Sequence, residues 1–231
     1  MAAIDPAAID PAASTSPLDD LAARIDRLES LDQIRQLPAR YALALDMRDW
    51  DSLVSLFVDD IGVPGKQRGR QALKRWYDDQ LRGDHLGTAH GVAGHVIEFE
   101  TPDVAAGVVY SRNDLETDST WIIEMMAYLD RYERRGGRWY FGRRTPLFWY
   151  ESDITDPPLH GSRKVRWPGR DWVEESFHEA FPTWREFWER EGYGELPVEP
   201  PADLERFIAD LRRGAPTPRV EPGGGSSAAR R

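Results

Sequence analysis

The chain contains no cysteine among its 231 residues. That excludes disulfides, a thiol nucleophile and any thiolate-ligated metal site. No stretch approaches the roughly 20 consecutive apolar residues needed to cross a bilayer. Basic residues are in deficit, with 30 Lys and Arg against 40 Asp and Glu and a formal net charge of −10. A surface of that sign disfavours DNA, RNA and other polyanions as partners. The sequence also lacks a P-loop, a GxGxxG fingerprint, a GxSxG elbow and a convincing HxxxH or carboxylate metal cluster. His160 and His178 fall in different loop and helix contexts, so no metal and no cofactor are expected. The N-terminal MAAIDPAAIDPAASTSP has neither a basic start nor a continuous apolar run, so it does not read as a signal peptide. The expectation is a cytoplasmic protein with no membrane partner.

What is present is enough for one core: 40% of residues are hydrophobic, 11% are aromatic, and nine are tryptophan. Residues 1–16, with the duplication AIDPAAIDPA, and residues 214–231, rich in Gly, Pro and Ser, offer little to bury and read as a disordered arm and a flexible tail. Between them the texture changes twice. Ser16-Pro17 is a helix start, and Leu18, Leu21, Ile25, Leu28 and Leu31 follow at helical spacing. A second helix is expected over 32–45, kinked at Pro38, with others at 50–57 and in GRQALKRWYDDQLRG. Four strand-like runs follow, the last two separated by Gly136-Gly137, a hairpin turn signal.

Helices followed by antiparallel strands give an α+β class. The domain is bounded at 17–152. Residues 153–213 are read as an extension wrapping the domain or a neighbouring subunit, too poor in aliphatic side chains to fold alone.

Two places in this domain hold residues suited to chemistry. Asp46 ends an apolar helical segment, where the negative end of the helix dipole and apolar neighbours would both raise its pKa. The plainer alternative is that Asp46 and Asp49 cap the following helix. In GTAHGVAGHVIEFE, His90 and His95 are an odd number of residues apart, so on a regular strand they face opposite sides unless a bulge intervenes. His90, flanked by Gly87, Thr88, Ala89 and Gly91, has room beside it for a ligand, although a strand histidine bonded to a carbonyl is the ordinary alternative.

The stretches ALALDMRDWDSLVSLFVDD, TAHGVAGHVIEFE, GVVYSRND and YLDRYERRGGRWYFGRR occur in this order and spacing over roughly residues 18–152. Together they resemble the SnoaL-like branch of the NTF2-like superfamily, in the pattern of scytalone dehydratase, bile-acid 7α-dehydratase and hexachlorocyclohexane dehydrochlorinase. The resemblance implies a cone: a strongly curved antiparallel sheet and N-terminal helices enclosing an apolar cavity. It also implies cofactor-free elimination and a homo-oligomer, a trimer in preference to a dimer.

Asp46 and His90 fall on the Asp–His dyad of these lyases, and Tyr41 on the tyrosine of the bile-acid enzyme. Leu45 stands where scytalone dehydratase has a tyrosine. That enzyme's second histidine has no counterpart in Ser111-Arg112-Asn113-Asp114, where Asn113 or Asp114 would supply a polar group instead. Arg144 lies near an active-site arginine of the dehydrochlorinase, with Arg143 expected on the opposite face. FWYESDITD, RWPG and AFPTWREFW resemble the extension of NTF2-like lyases that remove formaldehyde from lignin diarylpropanes. Trp149, Tyr150, Trp184, Phe187 and Trp188 would then close the cavity mouth or pack the extension, and Tyr110, Trp121 and Met125 would line the cavity.

The function expected is a lyase expelling water or formaldehyde from a small apolar, aromatic or polycyclic substrate, as in aromatic-compound degradation. An isomerase using the same base, or a non-catalytic binding or assembly module, is the alternative. Contact between Asp46 and His90 inside a cavity is what separates them.

Overall fold

The computed structural model describes residues 16–159, 161–191 and 204–218. Most of the expected N-terminal arm, His160, and the expected tail beyond Pro218 lie outside the described residues.

Helix α1 (Pro17–Asp46) starts at a capping box: Ser16 Oγ accepts the Asp19 N–H at 3.2 Å, and the Asp19 carboxylate accepts the Ser16 N–H at 3.3 Å. It is one continuous helix that runs through Pro38, where a break after Leu31 was expected. Pro38 removes one intrahelical bond, but its flank Ile34, Leu37, Tyr41 and Leu45 is buried in the main core. Each such side chain contributes roughly 1.5–3 kcal/mol on burial, enough to offset the lost bond. The anticipated stripe Leu18, Leu21, Ile25 and Leu28 remains exposed, by 47–77%.

After α1 the chain reverses through Met47 and Arg48, the latter at φ +58°. Asp49 then caps α2 (Trp50–Ser55) by accepting the Ser52 N–H at 3.0 Å. A minimal hairpin of β1 (Gly62–Val63) and β2 (Gln67–Arg68) leads into α3 (Arg70–Asp84).

Strands β3 (Gly87–Thr101), β4 (Val104–Glu116), β5 (Trp121–Arg135) and β6 (Arg138–Asp153) form an antiparallel meander. Arg135 pairs with Arg138 across Gly136 and Gly137, whose φ values of +58° and +77° are what a two-residue hairpin turn requires. The sheet continues into the extension. Short β7 (Arg163–Val165) joins β6 in parallel and β8 (Val173–Glu174) follows, so the open six-stranded sheet is mixed, in the order β3-β4-β5-β6-β7-β8.

Side chains alternate across this sheet. Ala105, Val109, Met126, Tyr128, Tyr132 and Phe141 face the helices and share one core with α1, α2 and α3. On the other face Val108, Ala127, Leu129 and Leu147 are covered by Phe177, Ala180 and Ile208 of the extension. The extension also holds α4 (Pro182–Glu189) and α5 (Phe207–Arg212). Buried Glu98 of β3 accepts the Ile208 and Ala209 N–H groups at 2.8 and 3.1 Å, which pins the first turn of α5 to the sheet. The result is an α+β cone with the extension packed on the outer face of its own domain. Among the described residues no helix is long and apolar enough to cross a membrane.

Candidate active site

Asp46 is the last residue of α1, and its carboxylate meets the first residues of β3. Oδ1 accepts from His90 Nδ1 at 2.7 Å and from Thr88 Oγ1 at 2.8 Å, while Oδ2 accepts the His90 backbone N–H at 2.9 Å. Arg48, turned back by its positive φ, donates to Thr88 Oγ1 at 2.7 Å and to the Leu45 carbonyl at 2.9 Å. The two side chains of the pair are only 9% and 14% exposed. Burial by itself would raise the Asp46 pKa, as its place in the sequence suggested. The hydrogen bonds from the His90 ring and backbone outweigh that effect and leave it below the usual aspartate value. Capping of the next helix falls to Asp49 alone.

A carboxylate accepting at Nδ1 assigns the imidazole proton to that nitrogen and leaves the Nε2 lone pair for a substrate. Nε2 has no hydrogen-bond partner among the described residues, and His90 lines a cavity of about 770 Å³ that lies between the helices and the concave sheet face and opens to solvent. Volume and wall suit a small organic molecule: Phe57, Trp76, Tyr77, Tyr128 and Phe148 provide aromatic surface. The extension contributes Trp167 to the same wall, and Pro218, from the segment expected to be a flexible tail, joins it.

Tyr41 also lines the cavity, its hydroxyl 3.1 Å from that of Tyr77. Burial raises the pKa of both, so they are neutral phenols. The Arg144 guanidinium is caged by the rings of Tyr128, Tyr41 and Phe141, at 3.7, 4.2 and 4.7 Å from their centres. Its Nε lies 3.4 Å from Asp130, and none of its three nitrogens makes a hydrogen bond among the described residues. Burial opposes the charge, but Asp130 and the surrounding tyrosines prevail and raise its pKa. Asp130 in turn is pushed up to about 6 by burial, against the pull of Arg144 and Tyr132. Arg143, expected on the opposite face, lines the cavity as well.

The remaining expected residues divide by strand parity. Asn113 pairs with His90 in register and faces inward, but it is not on the cavity surface. Its amide donates to Glu124 at 2.9 Å and to Met126 Sδ at 3.1 Å, and its carbonyl accepts from Ser111 Oγ at 2.6 Å. Asp114, one position on, lies on the outer face and accepts from Trp121 Nε1 at 3.1 Å. Tyr110, Trp121, Met125 and Trp149 are likewise absent from the cavity wall, which takes Met126, Tyr128 and Phe148 instead. Tyr110 borders a second, apolar groove of about 540 Å³ under the extension, together with Phe177, Trp184 and Phe187. Trp149 packs edge-on against His178 on that outer side. These aromatic residues do not close the mouth of the cavity.

His95 does not oppose His90. A bulge between Val92 and His95 adds one residue to β3 and returns His95 to the concave side. There it bonds Tyr132 Oη at 3.0 Å, and burial, aided by Arg144 and Arg35, lowers its pKa to about 4.

Glu124 was not foreseen. It lines the cavity from the middle of β5. An acidic residue inside the apolar run WIIEMMAY, with the parity of Tyr128, was the available signal.

An open cone with a buried Asp–His pair at its cavity is the architecture of a small-molecule-binding domain. The model of the SnoaL-like domain matches residues 26–145, just over half of the chain, and the chain belongs to that family, within the NTF2-like superfamily. Similar solved structures include a type-2 hexachlorocyclohexane dehydrochlorinase (LinA), 22% identical with a TM-score of 0.53, covering 63% of this chain and 99% of that one. A LinA-type3 dehydrochlorinase of Novosphingobium barchaimii is 21% identical with a TM-score of 0.53, covering 57% and 94%. A Novosphingobium aromaticivorans protein assigned provisionally as a scytalone dehydratase is 22% identical with a TM-score of 0.51, covering 64% and 99%. At these identities the likeness shows the fold. No curated protein sequence matches the chain significantly.

Proposed function

We propose that this protein is a cofactor-independent lyase acting on a small, largely apolar, aromatic or polycyclic alcohol. The observation that carries the reading is the His90 ring: Nδ1 is tied to a buried carboxylate and Nε2 is left unpartnered at an aromatic-walled cavity. Nε2 takes a proton from the carbon next to the one bearing the hydroxyl. Asp46 holds the ring and stabilises the imidazolium that forms. The electron pair of the broken C–H bond becomes the new C=C bond, and the C–O bond breaks. Arg144 or Tyr41 supports the departing oxygen, which leaves as water after taking the proton back from His90.

The next choice is loss of formaldehyde. Nε2 then removes a primary hydroxyl proton, the C–C bond breaks to release formaldehyde, and the freed pair expels a second hydroxyl as water.

The test is a panel of diaryl and polycyclic alcohols. New conjugation is followed by ultraviolet absorbance, and product mass by mass spectrometry. His90→Ala should lower turnover at least about 100-fold. Undiminished turnover in that variant would remove the base, and a product of unchanged mass would make the enzyme an isomerase.

A further inference from the structure

Glu124 takes no part in that elimination, yet it is built into the cavity wall. Residues His90, Asn113 and Glu124 form one register row across β3, β4 and β5. Neighbouring strands lie roughly 4.8 Å apart, so the Glu124 backbone stands roughly 10 Å from that of His90, with both side chains on the concave face. Asn113 fixes the carboxylate by donating to Oε2 at 2.9 Å, and Asn113 is itself held by Ser111 and Met126. No other donor reaches Glu124 among the described residues, although a carboxylate accepts several hydrogen bonds. The residue is 6% exposed, and its charge is felt by the Tyr41 and Tyr128 phenols on the same wall.

The other oxygen, Oε1, is open to the cavity, and an occupant that displaces water from it costs free energy unless it supplies a donor in its place. An ether oxygen has no proton to offer, and a second carboxylate is repelled. A hydroxyl satisfies the site. Resting on the lyase reading for the carbon that faces His90, we propose that Glu124 is a hydroxyl-recognition subsite. It selects substrates carrying a phenolic or alcoholic O–H about one ring's length from the reacting carbon. The substrate class narrows to hydroxylated aromatic molecules, and their O-methylated counterparts bind more weakly.

The test reads binding without turnover. Trp76 and Trp167 line the cavity, so ligand entry is followed by quenching of tryptophan fluorescence in the full-length protein. The probes are the matched pair 4-phenylphenol and 4-methoxybiphenyl. Wild type should bind the phenol roughly 10- to 100-fold more tightly, the range of one hydrogen bond to a charged group. Glu124→Leu should reduce the preference to less than about threefold while leaving the affinity for the methyl ether in place. Should the leucine variant not fold, Glu124→Gln keeps the size and the Asn113 contact and should still show a clearly reduced preference. Equal binding of the pair by wild type, or a preference unchanged in the variants, overturns the proposal. Retained preference with no elimination on any alcohol sinks the lyase reading alone. His90-dependent turnover without hydroxyl preference sinks the Glu124 subsite alone.

Discussion

His95 gives a stability prediction whose size follows from the buried polar chain behind Arg144. The Tyr132 hydroxyl donates to Asp130 Oδ2 at 2.9 Å, so its oxygen accepts from His95 Nε2 at 3.0 Å. Neutral His95 therefore carries its proton on Nε2, and its buried Nδ1 has no partner among the described residues. Protonating Nδ1 would place a charge without a counter-ion in the field of Arg144 and Arg35, and the pKa falls from 6.5 to about 4. In the unfolded chain the imidazole takes its proton first as pH drops, so the folded state loses stability below pH 6.5. Linkage gives a loss of about 2 kcal/mol by pH 5 and about 3 kcal/mol by pH 4. Asp130, shifted upward, acts in the opposite sense over the same interval, so the wild-type profile alone is shallow. Comparison with His95→Gln, which retains Asp130, removes most of that opposing contribution. Urea unfolding of both proteins at pH 8, 6.5, 5 and 4 should show the stability of wild type relative to the variant falling by about 3 kcal/mol from pH 8 to 4. A difference constant to within about 0.5 kcal/mol across that range would refute the assignment.

Two further outcomes follow from the geometry. Asp46→Asn replaces an acceptor-only group by an amide that can donate to Nδ1 and move the imidazole proton to Nε2, so kcat/KM should drop roughly 100- to 10,000-fold. The folded Asp46 pKa is depressed, so its stabilisation is present above the unfolded value near 4 and is lost as pH falls through the folded one. Acid unfolding curves should therefore show a shallower decline below about pH 4 in the variant. Gly107→Ala would set its Cβ 2.7 Å from Tyr132 Cε2 and 3.0 Å from His95 Nε2. Thermal melts should show it destabilised by about 1–3 kcal/mol, whereas Gly94→Ala, with nothing within 4 Å, should be close to neutral.

The elements that were legible in the sequence owe their form to local chemistry. Ser16-Pro17 starts a helix because its hydroxyl and fixed φ suit that end, and Gly136-Gly137 makes a hairpin because both residues accept positive φ. The order of helices and strands followed, as did the class of fold. Asp46 at a helix end and His90 in a strand of small residues were visible as candidates, and the contact between them was set by packing.

A single residue of strand register separates the expected cavity wall from the observed one. Tyr110, Trp121 and Met125 were assigned to the cavity, but the inward set runs through Val109, Ser111 and Asn113 on β4 and Glu124, Met126 and Tyr128 on β5. Because side chains alternate, a shift of one residue reverses every assignment on a strand whose two faces are both apolar. Here both faces are apolar because the extension covers the outer one with Phe177, Ala180 and Ile208, so hydrophobicity along the strand carries no sign of direction. The bulge after Val92 reversed His95 for the same reason.

The sequence by itself thus determined the first helix start, the turn, the acidic balance of charge and the supply of an aspartate, a histidine and aromatic rings. Only the tertiary structure decided which face of each strand meets the cavity, that Asn113 serves Glu124, that Arg144 sits in a cage of rings, and that Trp167 of the extension and Pro218 beyond it join the cavity wall. Those choices depend on pairing between residues distant along the chain, whose energies come into being only when the sheet has curved around its core.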